Sequence, residues 1–168
     1  MPGARVPAGH CFADVNGRRR FSAGFLADLL RGLGVTLVLG LDDIDYDPAP
    51  FAARGIRVCS ASDLLIPSAK EAGPEDADGS APLAAEALAR FVSLAGSTPG
   101  AVAVHGEGRR LRQACTLAAA WLAGVGLFPS PEAAAAWVAI ARGPGASVDM
   151  AALRAHWALG RAGWAAAT

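Results

Sequence analysis

The residues best suited to chemistry lie in one stretch, residues 105–113, between a short apolar run and a long apolar segment. This stretch contains three arginines, Arg109, Arg110 and Arg112. An arginine can bind two phosphate oxygens at once, and the N–H groups at the start of a helix attract the same anions. Glu107 places a carboxylate in the same loop and opposes an anion. We therefore predict a site that binds phosphate weakly.

Two elements must position this loop. Residues 101–105 form an apolar run typical of a buried strand, and the apolar pattern from about Arg112 to Ala123 predicts a helix. The remaining pattern predicts a helix over 21–31, a strand over 35–39, a short helix over about 49–54, a strand over 56–59, a helix over 82–94, and late helices that begin after Ser130 and Asp149. Short apolar strands that alternate with helices predict an α/β fold of three layers, with a central, mostly parallel sheet flanked by helices.

The 168 residues are enough for one well-packed domain. We predict an extended lead-in over residues 1–20, a domain over 21–160 and a tail over 161–168. Residues 61–81 are the least regular stretch, with prolines, glycines and five acidic residues. Tryptophans on apolar helix faces are predicted to be core residues: Trp121, Trp137 and Trp157.

The composition excludes several classes of protein. With 53% hydrophobic residues, 18% charged residues and no net charge, the chain is globular and unsuited to nucleic acid or an anionic membrane. The cysteines Cys11, Cys59 and Cys115 have no close spacing, so we predict buried free thiols, no metal site and no cofactor. The first residues lack the apolar core of a signal peptide, and we expect an intracellular protein, cytoplasmic or nuclear.

Four segments share the order and composition of one enzyme family: 35–56, 77–82, 104–122 and 135–145. Together they resemble the dual-specificity phosphatases of the protein-tyrosine phosphatase superfamily, and the mitotic-exit type most closely. The second segment is similar to the general-acid loop and the third to the phosphate loop with its helix. The last resembles a late helix with an Arg-Pro-Gly turn. The resemblance implies a three-layer phosphatase fold.

In active members of that family, a cysteine thiolate attacks phosphorus while an arginine and loop N–H groups hold the phosphoryl oxygens. An aspartate on a mobile loop protonates the leaving oxygen. The resemblance places His105 before the nucleophile, Arg112 as the phosphate-binding arginine and Asp78 as the general acid. Asp63 and Asp76 remain alternatives for that last role.

The sequence departs from the family at the positions that carry the chemistry. Gly106 stands in place of the nucleophilic cysteine, Gln113 in place of a hydroxyl residue, and Arg109 in place of a glycine. Glycine has no side chain that can attack phosphorus. The phosphate-binding set implied by the resemblance is Arg112 with Gly106, Glu107, Gly108, Arg109, Arg110 and Leu111, supported by His105 and Gln113.

The leading interpretation is a catalytically inactive phosphatase-like domain that binds a phosphoprotein or another protein as a scaffold. A second possibility is residual or rerouted hydrolysis, by direct water attack aided by Arg112 and Asp78. A third is a structural interaction domain whose pocket binds no phosphate. In each case we expect a protein partner rather than nucleic acid or a membrane.

Overall fold

The computed structural model describes residues 11–15, 18–61, 83–106, 110–143 and 145–165. Several residues singled out in the sequence lie outside these ranges: Asp63, Asp76, Asp78, Glu107, Gly108 and Arg109.

The described residues form, in chain order, β1 (Phe12–Val15), β2 (Arg18–Phe21), α1 (Ala23–Gly32), β3 (Val35–Gly40), α2 (Ala49–Ala52), β4 (Arg57–Ser60), α3 (Ala85–Ser97), β5 (Ala101–His105), α4 (Arg110–Gly124), α5 (Pro131–Arg142) and α6 (Met150–Ala165). The elements predicted between α1 and α6 are confirmed, with ends shifted by a few residues. The last helix continues beyond its predicted end at about Leu159, into the segment predicted to be a tail.

Residues 12–21 are a paired hairpin, although an extended lead-in was predicted there. Strands β1 and β2 pair antiparallel, with Phe12 opposite Phe21. The two rings meet edge to face at 6.3 Å, and Phe21 stacks on Phe25 of α1 at 5.4 Å. Cross-strand aromatic pairs stabilise a hairpin without the apolar alternation that marks a strand in a sequence.

The central sheet consists of parallel strands in the order β4-β3-β5. Gly40 at the end of β3 is paired with Ser60 and with His105, so the three strands end at the same edge. One apolar cluster joins β3 to α1 and α2, and a second joins β3 to α3, α4, α5 and α6. The predicted fold class, a largely parallel sheet between two layers of helices, is confirmed.

Side-chain caps begin three of the described helices, α1, α5 and α6. The Oγ atoms of Ser22 and Ser130 accept hydrogen bonds from the N–H groups of Phe25 and Ala133, each at 3.2 Å. Asp149 Oδ1 accepts from Ala152 N–H at 3.0 Å and caps α6. Among the described residues, no helix combines the length and the apolar character that crossing a bilayer requires.

His156 makes folding depend on pH. It lies half-buried on α6, and its Nδ1 has no hydrogen-bond partner among the described residues. Burial lowers the pKa of its imidazole, against a smaller opposite effect from a hydrogen bond with the Ala85 backbone. The folded state therefore favours the neutral ring.

We expect the free energy of unfolding to fall as the pH drops below about 6.5, where the unfolded chain takes up a proton that folded His156 resists. Urea unfolding between pH 7.5 and 5.5 measures this loss. His156→Leu should be less sensitive to pH over that range, and an equal slope in both proteins would contradict the assignment.

Candidate functional site

The loop after β5 lies where an anion site is expected, at the carboxyl edge of the sheet and the start of a helix. Strand β5 ends at His105, and α4 begins at Arg110, two residues earlier than predicted. Arg112 therefore lies within the first turn of the helix rather than at its first residue. In the loop between β5 and α4, the structure describes Gly106.

Position 106, where the resemblance places a nucleophile, is closed by packing. A Cβ atom built on Gly106 would lie 2.7 Å from Arg110 Cβ and 3.2 Å from Leu41 Cβ. Carbon atoms pack at about 3.5–4.0 Å, so a side chain here requires the start of α4 or the end of β3 to move. Residue 106 therefore lacks both a reactive group and the space for one.

Arg112, the residue matched to phosphate binding, faces a carboxylate of its own chain. Its Nη2 lies 3.7 Å from Oδ2 of Asp149, which is only 7% exposed. The same part of α4 is fixed by buried Thr116, whose hydroxyl donates to the Arg112 carbonyl at 2.8 Å and accepts from Asp149 N–H at 2.9 Å. This network holds the amino end of α6 against α4 and partly neutralises the arginine.

Arg110 is also engaged within the protein. Its Nη1 donates to Gln113 Oε1 at 2.8 Å, and its Nε lies 3.9 Å from Asp42 Oδ1. Gln113, which stands where the resemblance implies a hydroxyl residue, is 5% exposed. Its amide thus holds Arg110 in place over one turn of the helix.

His105 is held by a partner from a distant part of the chain. Its Nε2 lies 2.9 Å from the hydroxyl of Tyr46, and the two rings are 5.6 Å apart. The ring also lies against Gly40, where an added Cβ would come within 3.2 Å of Nε2. Burial, and to a smaller extent the charge of Asp45, raise the pKa of Tyr46, so its hydroxyl stays protonated at neutral pH.

A search of solved structures finds a matching chain described as the crystal structure of Tk-PTP in the active form. The two chains share 18% sequence identity with a TM-score of 0.53, over 82% of this chain and 85% of that chain. The chain has a protein-tyrosine-phosphatase-like fold. No family model matches the sequence, and no curated protein gives a significant match. The likeness concerns the fold, so the chemistry must be argued from the residues of the loop.

Within this phosphatase-like fold, the structure brings together only part of the set singled out in the sequence. Gly106 lies beside Arg110, and Arg110 is hydrogen-bonded to Gln113, at the carboxyl edge of the sheet next to His105. Arg112 belongs to the same turn of α4, but its guanidinium faces Asp149 at the start of α6. Leu111 lies beside them and lines a neighbouring cavity. Glu107, Gly108, Arg109 and the candidate general acids lie outside the described residues, so their roles stay predictions.

Three partners of the site were not identified from the sequence: Asp42, Tyr46 and Asp149. Of the three, Asp42 is the easiest to find from the sequence, because it closely follows the central strand. That strand lies beside β5, which leads into the loop at residue 106. Asp149 is recognisable only as a helix cap, and nothing in the pattern links Tyr46 to His105. Within the described ranges, no group of three His, Cys, Asp or Glu residues could hold a metal.

Cys115 does not replace the missing nucleophile. It is 3% exposed in the second turn of α4, and burial raises the pKa of its thiol, with a smaller opposite effect from Arg142. The reactive form of a cysteine is the thiolate, so a buried thiol with a raised pKa is inert. The placement agrees with its prediction as a core residue.

A cavity of about 530 Å³ lies beside the loop, between β5 and helices α3, α4 and α5. Its walls are largely apolar, and Trp121, Trp137 and Leu122 contribute to them. The prediction that Trp137 is a core residue is wrong, because its side chain is 48% exposed. It packs against Phe128 at 6.0 Å from the short connection between α4 and α5, and leaves its other side open.

Proposed function

We propose that this chain is a catalytically inactive phosphatase-like domain that acts as a binding or scaffold module for a protein partner. The observation that carries the proposal is Gly106, which offers no nucleophile and leaves no space for one beside Arg110 and Leu41. A fold that keeps the loop but closes the position of its reactive group is suited to binding rather than to covalent catalysis.

The charged network indicates how such a module would meet a phosphorylated partner. Arg112 and Arg110 each lie near a carboxylate, Asp149 and Asp42 respectively. A phosphate that binds either arginine must compete with that carboxylate. A phosphoprotein is therefore held weakly through the phosphate itself, and other contacts carry most of the affinity.

An intracellular location, cytoplasmic or nuclear, is part of this proposal. The three cysteines are free, but the prediction that all of them are buried is wrong, because Cys11 is exposed and Cys59 is half-buried. An exposed free thiol persists in a reducing compartment, whereas secreted domains usually pair their cysteines.

We expect no hydrolysis of para-nitrophenyl phosphate above the buffer rate, because removing the nucleophile from a catalytic unit costs on the order of 10⁶ in rate. The assay measures release of nitrophenolate at several pH values with the wild type and with Arg112→Ala. Turnover that disappears in Arg112→Ala would instead support the alternative, hydrolysis by direct attack of water.

Phosphate itself should bind weakly, with a dissociation constant in the millimolar range, and less tightly as salt is added. NMR shifts of α4 amides during titration with inorganic phosphate or a phosphopeptide measure it. Arg112→Ala should abolish the shifts. Arg154→Ala should not, because Arg154 is an exposed arginine that pairs with Glu132. If phosphate gives no shifts, or if they survive in Arg112→Ala, the domain is not a phosphate reader and the purely structural interaction domain takes its place.

A further inference from the structure

Strand β5 is the last strand of the parallel sheet, and its outer edge is open in the described part of the structure. Ala101 N–H donates to Gly34 O at 2.9 Å, and His105 O accepts from Leu41 N–H at 2.9 Å, so these residues face β3. Because backbone groups alternate along a strand, the N–H and C=O groups of Val102 and Val104 face the other way. No described strand pairs with β5 on that side.

The open edge borders the apolar cavity. Residues 100–102 and 104–106 contribute to its wall, so the cavity follows the whole length of β5. At about 3.3 Å per residue, five residues give a groove of roughly 16 Å. An unpaired edge beside an apolar groove suits an extended peptide, whose backbone completes the hydrogen bonds while alternate side chains enter the groove.

Among the described residues that line the groove, Arg142 carries a full charge. Among the described residues Arg142 is exposed and has no ion pair. Arg142 ends α5, which packs against α4 after a short connection, so Arg142 lies beside the first turns of α4, and it lines the cavity together with Cys115. Because α4 starts directly after β5 and runs back along it, the second turn of α4 lies near the carboxyl end of the strand. The cation thus lies at that end of the groove and is complementary to an acidic side chain.

We propose that the outer edge of β5 binds an extended apolar peptide segment of a partner protein, with an acidic residue that pairs with Arg142. The segment adds to the sheet as a strand beside Val102 and Val104, and alternate apolar side chains fill the cavity. This proposal rests on the proposed function and identifies a partner-binding surface that does not depend on phosphate.

Two acetylated, amidated hexapeptides test the proposal: Thr-Val-Thr-Val-Thr-Asp and Asp-Thr-Val-Thr-Val-Thr. They place the aspartate near Arg142 in the parallel and the antiparallel orientation, respectively. We expect one of them to bind saturably at up to millimolar concentration and to shift the Val102 and Val104 amide signals in NMR spectra. The same peptide with N-methyl groups on the amides that face β5 should bind at least tenfold more weakly, because it cannot form the strand hydrogen bonds.

The charge is tested by a double-mutant comparison. Arg142→Gln should weaken binding of the aspartate peptide about three- to fivefold. It should not affect binding of the same peptide with asparagine in place of the aspartate. Arg142→Lys should restore most of the affinity. Arg57→Gln is the matched control, because Arg57 is an exposed arginine on β4 at the opposite edge of the sheet.

Several results would overturn the proposal. They are the absence of saturable binding, equal affinity for the N-methylated peptide, or equal loss in Arg142→Gln and Arg57→Gln. Octanoate that shifts the same amides while neither peptide binds would identify a site for small amphiphilic carboxylates. Sedimentation that shows dimers through this edge without any peptide would identify a second copy of the chain as the occupant.

The outcome is independent of the hydrolysis assay, because the peptides contain no phosphate. Peptide binding together with aryl phosphate turnover would reject the inactive domain and retain the groove. If the protein neither binds the peptides nor hydrolyses the aryl phosphate, the proposal of an inactive domain stands and the proposal of a peptide-binding groove is rejected.

Discussion

Replacing Gly106 with cysteine is expected to destabilise the protein without producing a phosphatase. The new Cβ would lie 2.7 Å from Arg110 Cβ, so either the helix start or the loop must shift. Overpacking of this kind costs about 1–3 kcal/mol, and we expect a loss of about 2 kcal/mol in the free energy of unfolding. Urea unfolding measures the loss, and the nitrophenyl phosphate assay should remain at the buffer rate.

Two further variants separate the steric effect from the chemistry. Gly106→Ala should lose about as much stability as Gly106→Cys, because the clash arises at Cβ rather than at the sulfur. In the Arg110→Gly background, which removes the opposing Cβ, Gly106→Cys should cost much less than in the wild type. Turnover in the single variant at a rate typical of the family would show that the loop is still able to form an active site.

Replacing Asp149 is expected to have opposite effects on stability and on anion binding. Asp149→Ala removes the cap of α6 and leaves partly buried Arg112 without this carboxylate, and we expect a loss of about 2–3 kcal/mol. Asp149→Asn keeps a capping oxygen and removes only the charge, so its loss should be about 1 kcal/mol or less. Chemical unfolding distinguishes the two variants.

The same substitution should strengthen phosphate binding. With the carboxylate of Asp149 neutralised, Arg112 no longer divides its charge between its own chain and the ligand. We expect Asp149→Asn to bind inorganic phosphate about fivefold more tightly than the wild type in an NMR titration.

Glu132→Gln is the matched control for that titration, because Glu132 is an exposed acid that pairs with Arg154 on another face. It should leave the phosphate affinity unchanged. If Asp149→Asn also leaves it unchanged, then Asp149 does not limit the anion site, and the weak binding has another origin.

Local patterns in the sequence determined the elements from α1 to α6, but not the hairpin of β1 and β2. Val35–Gly40 is an apolar, β-branched run and forms the central strand, buried on both faces. Ser130 and Asp149 predicted helix starts because a cap needs only residues three positions apart. It was equally readable that residue 106 cannot supply a nucleophile, since glycine has no side chain that could attack in any fold.

What the sequence did not determine depends on residues that are far apart in the chain. His105 and Tyr46 are 59 positions apart, and Asp149 N–H and Thr116 Oγ1 belong to residues 33 positions apart. Such pairs form only when parallel strands end at one edge and helices pack across them, and no local periodicity encodes that meeting.

The closed space at Gly106 and the open edge of β5 are likewise properties of the tertiary structure. A sequence shows that residue 106 lacks a side chain, but only the approach of Arg110 and Leu41 shows that none would fit. The sequence predicts β5 as a buried strand, whereas the strand order β4-β3-β5 leaves one of its edges unpaired in the described structure. The residue type decides which reactive group a position can offer. The space around that position and the pairing of a strand depend on which residues the tertiary structure places beside them.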